Sequence, residues 1–315
     1  MGSEREWPHD PVLLAEVLEA LQPAAGGAYV DGTVGGGGHA EAILERSGPD
    51  SRVLGLDVDP RALDVARSRL ARFAGRVVLV RANFAACDDV AREHGFREFD
   101  GVLLDLGLSS IQLADVERGF SFRAEGPLDM RADSDLPVTA ADIVNGSNER
   151  ELRRIFAAYG EEPEAGRIAG AIVRRRTTRS FTSAADLGRF VAGVKRARRG
   201  DVDPATRVFQ ALRVAVNHEL ENLEQGLTAA LSILRPGGRL AAISFHSLED
   251  RVVKTFLTRE SRDCICPPHL PTCVCGHRAG LRVVTRRPVR PDAAEVARNP
   301  RARSARLRVA ERLTW

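Results

Sequence analysis

From Ala28 onward the chain alternates short β-branched runs with stretches whose apolar residues recur at helical spacing. That rhythm predicts a parallel α/β sheet. The first strand, 28–31, runs into the turn Gly32-Thr33-Val34-Gly35-Gly36-Gly37-Gly38-His39 and a helix through Arg46. A second strand, 52–57, leads through Asp59 and Pro60 into a helix with Leu63, Ala66 and Leu70 on one side. Pro60 suits a first helical turn, where its missing N–H has no partner to lose. The third strand, 76–81, ends at Asn83-Phe84, and the fourth, 99–105, is a continuous apolar run that needs cover on both faces.

After Ser110 the rhythm breaks. Residues 115–137 are rich in Gly, Pro and charge, and helical patterns then run over 140–194 without a strand. The sheet resumes after a helix around 211–234, where Arg235-Pro236-Gly237-Gly238 turns into a strand over 239–245. A helix over 248–257 and two last strands, 281–285 and 304–310, complete it. The expected organisation is a Rossmann-like core in two parts, 1–114 and 214–315, interrupted by a helical, RNA-binding insert, 115–213.

Net charge is only +3, but it is unevenly spread. Between Arg150 and Arg213 there are 15 basic and 7 acidic residues, and from Gly276 onward 11 basic and 3 acidic. The remainder is therefore strongly acidic, and two basic surfaces on an acidic body suit a polyanionic partner. Solvated helix faces are the plainer reading of the same pattern. No run approaches the roughly 20 apolar residues of a membrane helix, and the start has neither a basic leader nor an apolar signal core. A soluble cytoplasmic protein with no membrane partner is expected, and nothing points to an obligate protein partner.

Four of the five cysteines, Cys264, Cys266, Cys273 and Cys275, share one segment, and Cys87 stands alone. Without an export signal they are expected as thiols or metal ligands, not disulfides. Four thiolates suit zinc, but single-residue spacing within each pair departs from the usual two. A redox-sensitive or inert loop is the alternative, and no metal ligand is assigned.

A glycine-rich turn after a first α/β strand lets backbone approach a ligand closely. Asp57, at the end of the next strand, is placed to accept hydrogen bonds from both hydroxyls of a ribose. The glycines depart from the G-x-G-x-x-G spacing that seats a pyrophosphate on a helix N-terminus. Asn83-Phe84 sits where an adenine could be bonded and stacked, and Asp105 sits at the tip of the fourth strand. Together these favour a sulfonium methyl donor over a nicotinamide cofactor. Each residue also has a structural reading: Asp57 and Asp59 as helix caps, Phe84 as core, Gly237 as a helix end.

The residues that carry this chemistry lie in longer strings: His9-Asp10-Pro11-Val12-Leu13-Leu14, Leu103-Leu104-Asp105-Leu106-Gly107-Leu108-Ser109-Ser110, Gly126-Pro127-Leu128-Asp129-Met130-Arg131, Tyr159-Gly160-Glu161-Glu162, Ala205-Thr206-Arg207-Val208-Phe209-Gln210 and Ser244-Phe245-His246-Ser247-Leu248-Glu249-Asp250-Arg251. Over nearly its whole length the chain resembles the ribosomal small-subunit RNA methyltransferase H family. The resemblance implies a two-domain Rossmann-type enzyme. It would move a methyl group from S-adenosylmethionine to the exocyclic N4 amine of a cytidine in the decoding (P-site) region of 16S rRNA, with the small ribosomal subunit as partner. It also implies that Gly37, Gly38, His39, Asp57, Phe84, Asp105 and Gln112 contact the donor.

An exocyclic amine with a delocalised lone pair attacks only when aligned with the methyl–sulfur bond, so positioning is most of the catalysis. No covalent adduct is required. Asp105 is expected either to polarise the amine or to anchor the donor's amino group, and the segment from His246 to Arg251 to meet the target base. Ser247 with Asp250 is alternatively a helix-capping pair. The clusters Arg174-Arg175-Arg176 and Lys195 to Arg199 are expected on phosphates. A DNA amino-methyltransferase, a ribosome-assembly factor with a relic pocket and a dehydrogenase are the competing readings.

Overall fold

The computed structural model describes residues 11–123, 125–195, 203–267, 270 and 272–314, without the side chains of 110 and 114. His9, Asp10, Arg196, Arg198 and Arg199, singled out above, lie outside the described residues. Among those described, no helix is long and apolar enough to cross a membrane. The chain divides into two compact units, Met1–Gly107 with Leu220–Trp315, and Leu108–Glu219.

The first unit holds one sheet of seven strands: β1 (Ala28–Asp31), β2 (Arg52–Asp57), β3 (Val77–Arg81), β4 (Phe99–Asp105), β5 (Leu234–Ser244), β6 (Leu281–Val283) and β7 (Arg306–Arg312). Their order is β3-β2-β1-β4-β5-β7-β6. The first five are parallel to one another, whereas β7 runs antiparallel to both β5 and β6. A dinucleotide-binding sheet is commonly ordered 3-2-1-4-5-6, so the antiparallel β7 between β5 and β6 marks a different Rossmann-like closure. Side chains alternate between two apolar layers. Leu54, Leu56, Val102 and Leu104 join one, while Val53, Leu103, Ala241 and Ile243 join the other. Both faces are dry, which is why these strands read as unbroken apolar runs.

Three local expectations are corrected. Residues 235–238 are not a turn ahead of a separate strand: β5 begins at Leu234 and the extra residues bulge out, so that Phe99 faces Leu234 and Gly101 already faces Arg239. Gly237, at φ 79°, takes the left-handed conformation there and ends no helix. The single helix expected over 211–234 is two, Thr206–Asn217 and Glu219–Ile233, broken where His218 turns left-handed at φ 51°. Asn217 also turns its side chain away, donating to Met130 O at 2.8 Å and accepting from Ala132 N at 2.6 Å. The last strand starts two residues later than expected, because Pro300–Ser304 forms a 3-10 turn.

The core of the second unit is formed by the helices Ala140–Gly146, Glu149–Gly160, Ala165–Arg176, Ala184–Val194 and Thr206–Asn217, around Leu152, Phe156, Ile168, Phe181 and Leu212. Much of its positive charge is committed internally. Arg175 pairs with Asp186 at 2.7 Å and lies 3.9 Å from the Phe181 ring centre, and Arg176 donates to Val144 O at 2.6 Å. Lys195 meets the fully buried Glu162 at 2.8 Å and also donates to Pro204 O. These three residues are therefore structural, not phosphate contacts. Replacing Glu162 by Ala strands the Lys195 ammonium in a mostly buried position. Urea unfolding should show a loss of about 3 kcal/mol.

Candidate functional site

In the sheet order, β1 separates the β2–β3 side from the β4–β5 side. Connections reverse direction across such a point, and a crevice opens at the carboxyl ends of the two central strands. Asp31 is the last residue of β1 and Asp105 the last of β4. The two strand ends are tied together, because Gly32 N donates to Leu103 O at 2.9 Å and Asp105 N to Thr33 Oγ1 at 2.7 Å.

The glycine-rich turn folds back over this edge. Gly35 and Gly37 have φ of 50° and 82°, and Gly37 N donates to Val34 O at 2.7 Å. A side chain at Gly37 would press on Leu70 and Ala66, and one at Gly38 would come within 3.0 Å of Pro11 Cγ. Gly37 is thus demanded by the left-handed turn, and a side chain at Gly38 would have to displace the Pro11 ring, whatever the two contact besides. Asp57 holds the turn from the side: Oδ2 accepts from Gly35 N and Oδ1 from Asp59 N, both at 2.9 Å. Asp59 is the helix cap, accepting from Arg61 N at 3.0 Å; Asp57 is not. Burial raises the Asp57 carboxyl to about 6 despite those two bonds.

Asp31 is 1% exposed, and its Oδ2 is buried with no hydrogen-bond partner. Loss of solvation, with Asp57 nearby, lifts its carboxyl to about 7. Asp105 Oδ1 is likewise buried without a partner, and burial, Asp31 and Glu249 push that carboxyl well above its ordinary range. Beside it lies His39, with Nδ1 3.6 Å from Asp105 Oδ2 and Nε2 3.0 Å from Val12 O. A carbonyl only accepts, so Nε2 carries the hydrogen. Burial depresses His39 to about 4, leaving it neutral with a bare Nδ1 towards Asp105. Two acceptors face each other unless Asp105 keeps its proton, in agreement with its raised pKa.

Phe84 follows β3 in a short 3-10 turn capped by Asn83, which accepts from Ala85 N at 2.9 Å. Its ring lies against Gly226, where any side chain would overlap it. His246 caps the helix Ser247–Glu260 through a reciprocal box with Glu249, so the capping pair is not Ser247 with Asp250. The buried Glu249 accepts from Phe245 N at 2.7 Å and His246 N at 3.2 Å, and its other oxygen lies 3.1 Å from His246 Nε2. Asp250 instead binds Arg308 at 2.7 Å and Arg306 at 3.2 Å. Gln112 belongs to the second unit, where its side chain and that of Ser109 close a capping box. The first unit thus gathers Asp31, His39, Asp57, Phe84 and Asp105 along one sheet edge.

The profile of the MraW methylase family matches residues 6–313. The chain belongs to the MraW methylase family. It is 53% identical to the ribosomal RNA small subunit methyltransferase H of Thermomicrobium roseum over 97% of this chain and 94% of that one. It is 52% identical to the enzyme of that name from Heliobacterium mobile, over 98% and 100%, and 53% identical to that of Geobacter sulfurreducens, over 97% and 99%. S-adenosylmethionine is the cofactor of this methylase, and the sheet is Rossmann-like.

Several of the strings that carry the resemblance have packing reasons here. Gly160 passes so close to Arg207 O that no side chain fits, Gln210 donates to Tyr159 O at 3.0 Å, and Arg207 donates to Glu161 O at 3.0 Å. Sequence reading missed Thr33, Glu249 and Gly226, and it treated Asp31 only as a strand end. Thr33 lies in the glycine-rich turn and Glu249 in one of those strings, while Gly226 carried no signal, since contacts across elements leave no periodicity.

Because Asp31 titrates near 7 when folded instead of 3.8, the native state holds its proton more tightly than the unfolded chain does. The linked stability is complete below about pH 4 and disappears as pH rises through about 7. Asp31→Asn should therefore raise the Tm of the ligand-free protein at pH 8 by roughly 3–6 °C. At pH 5 thermal scans should show a much smaller gain.

Proposed function

We propose that this chain methylates the N4 amine of a cytidine in the decoding region of 16S rRNA by direct transfer from S-adenosylmethionine. The substrate class rests on the relatives, whose shared name specifies small-subunit ribosomal RNA. The chemistry rests on one observation: two buried carboxyl oxygens, on Asp31 and Asp105, stand without partners at the carboxyl ends of β1 and β4. Buried acceptor oxygens of this kind call for a donor group, and a cation satisfies them best. The donor, when bound, supplies an electrophilic methyl group on a positively charged sulfur together with an ammonium group. A negatively charged pyrophosphate would be repelled from the same edge.

In this reading Asp31 and Asp105 hold the positive end of the donor. Asp57 has spare lone pairs for the ribose hydroxyls, Phe84 lies beside the adenine, and Gln112 makes a further contact. Gly37 and Gly38 let the turn close over the donor. Neutral His39 keeps Asp105 oriented through its bare Nδ1. His246, fixed by Glu249 at the β5 end, faces the target base. No protein nucleophile is needed, and Cys87 is unsuited to be one, because burial pushes its thiol up to about 12. The RNA backbone is met by exposed arginines of the insert, among them Arg150, Arg153, Arg154, Arg174 and Arg179. The first three share one helix face by their spacing.

The direct test supplies labelled S-adenosylmethionine with small ribosomal subunits, naked 16S rRNA or DNA, and identifies the product nucleoside by mass spectrometry. The proposal requires 4-methylcytidine from the ribosomal substrates and none from DNA. Donor binding without transfer to any of them would favour an assembly factor. Asp105→Asn should weaken donor binding at least tenfold, about 1.4 kcal/mol, in a calorimetric titration. Unchanged donor affinity with lost kcat would move Asp105 from the donor to the amine. Replacing Arg150, Arg153 and Arg154 by Ala should lower the log–log salt slope of RNA binding by about 2 and leave donor affinity unaltered.

A further inference from the structure

Among the described residues, the segment between the helix Ser247–Glu260 and β6 has almost no core of its own. Cys264, Cys273 and Cys275 are exposed, as are Ile265, Leu270 and Val274, the last of them 78%. Apolar burial therefore does not explain why this loop brings four thiols together. Yet the sulfurs of Cys264, Cys266, Cys273 and Cys275 all lie within 4.8 Å of one another. Cys273 Sγ is 3.6 Å from Cys275 Sγ, which is 3.9 Å from Cys264 Sγ. Four sulfurs at about 2.3 Å around one tetrahedral zinc would be spaced by about 3.8 Å.

The backbone completes the pattern. Ile265, between the first two cysteines, donates its N–H to Cys275 Sγ at 3.4 Å, and Val274, between the second two, donates its N–H to Cys266 Sγ at 3.4 Å. Each pair thus sends an amide into a sulfur of the other. Such bonds stabilise thiolates, the form in which cysteine ligates a metal. Single-residue spacing disfavours zinc when the pairs are judged along the chain; in space the interleaved pairs converge on one point. The loop ends are secured independently, by Gly280 N to Glu260 O at 2.7 Å and Ala279 N to Asp263 Oδ1 at 3.2 Å.

We infer that Cys264, Cys266, Cys273 and Cys275 form a structural tetrathiolate site for zinc or a cation of the same class. The metal takes the place of a hydrophobic core in holding this loop. As Zn2+ binds, the thiol protons pass to the buffer and four S–Zn bonds form, with no change of oxidation state. All four coordination positions are filled by protein, so the site is closed to substrate and separate from the methyl-transfer chemistry.

The test uses the full chain, reduced, incubated with zinc and freed of excess metal by gel filtration. Elemental analysis should find about one zinc per chain. Alkylation followed by mass spectrometry should find the four loop cysteines at least about tenfold slower to react with zinc than after chelation. Cobalt(II) in place of zinc should give the intense visible bands of tetrahedral thiolate coordination. Cys273→Ser combined with Cys275→Ser should abolish metal retention while S-adenosylmethionine still binds. If that variant fails to fold, the cobalt spectrum of the unaltered chain decides. No retained metal, with equal alkylation rates in both states, would overturn the inference. So would two disulfides in the unreduced protein whose reduced form holds no zinc.

Discussion

The structure turns on a charge problem at the centre of the sheet. Asp31 and Asp105 end adjacent strands, and each keeps one oxygen away from both water and protein donors. An uncompensated buried carboxylate is costly, and a protein tolerates it where a ligand supplies the missing charge. The surrounding residues are arranged to hold that tension. Thr33 ties the two strand ends, His39 stays neutral beside Asp105, and Asp57 braces the glycine turn through Gly35. The raised carboxyl pKa values of Asp31, Asp57 and Asp105 have burial as their common cause.

The insert shows how misleading a count of charges can be. Its basic clusters look alike in sequence, yet Arg175, Arg176 and Lys195 are consumed by Asp186, a backbone carbonyl and Glu162. A guanidinium stacked on Phe181 and paired to a carboxylate holds helices together and has little to offer a phosphate. The arginines left at the surface, such as those on the helix Glu149–Gly160, are the ones with charge available to a polyanion. Electrostatic attraction and structural glue are thus shared among chemically identical residues, and burial makes the division.

The helix Ser247–Glu260 links these themes. Its cap is a histidine, an unusual choice when Ser follows immediately, because Glu249 at the third position is buried and reaches back to two amides at the end of β5. Asp250, the next residue, faces the other way and binds two arginines of β7. One short string therefore fixes the corner of the site and locks the antiparallel strand that closes the sheet.

The sequence by itself determined the strand positions β1 to β4, the glycine turn, the acids at the strand ends and the family, because these depend on local periodicity, turn chemistry and long specific strings. It also revealed the interruption of the sheet, since helical and strand rhythms differ over tens of residues. Only the tertiary structure decided which charges are free, where the helix before β5 breaks, that 235–238 is a bulge, that His246 is the cap, and that four cysteines spaced for no familiar motif meet at one point. The free charges and the bulge depend on contacts between residues far apart in the chain, and the cap and the cysteine cluster on the path the backbone takes between near neighbours; a one-dimensional pattern records neither.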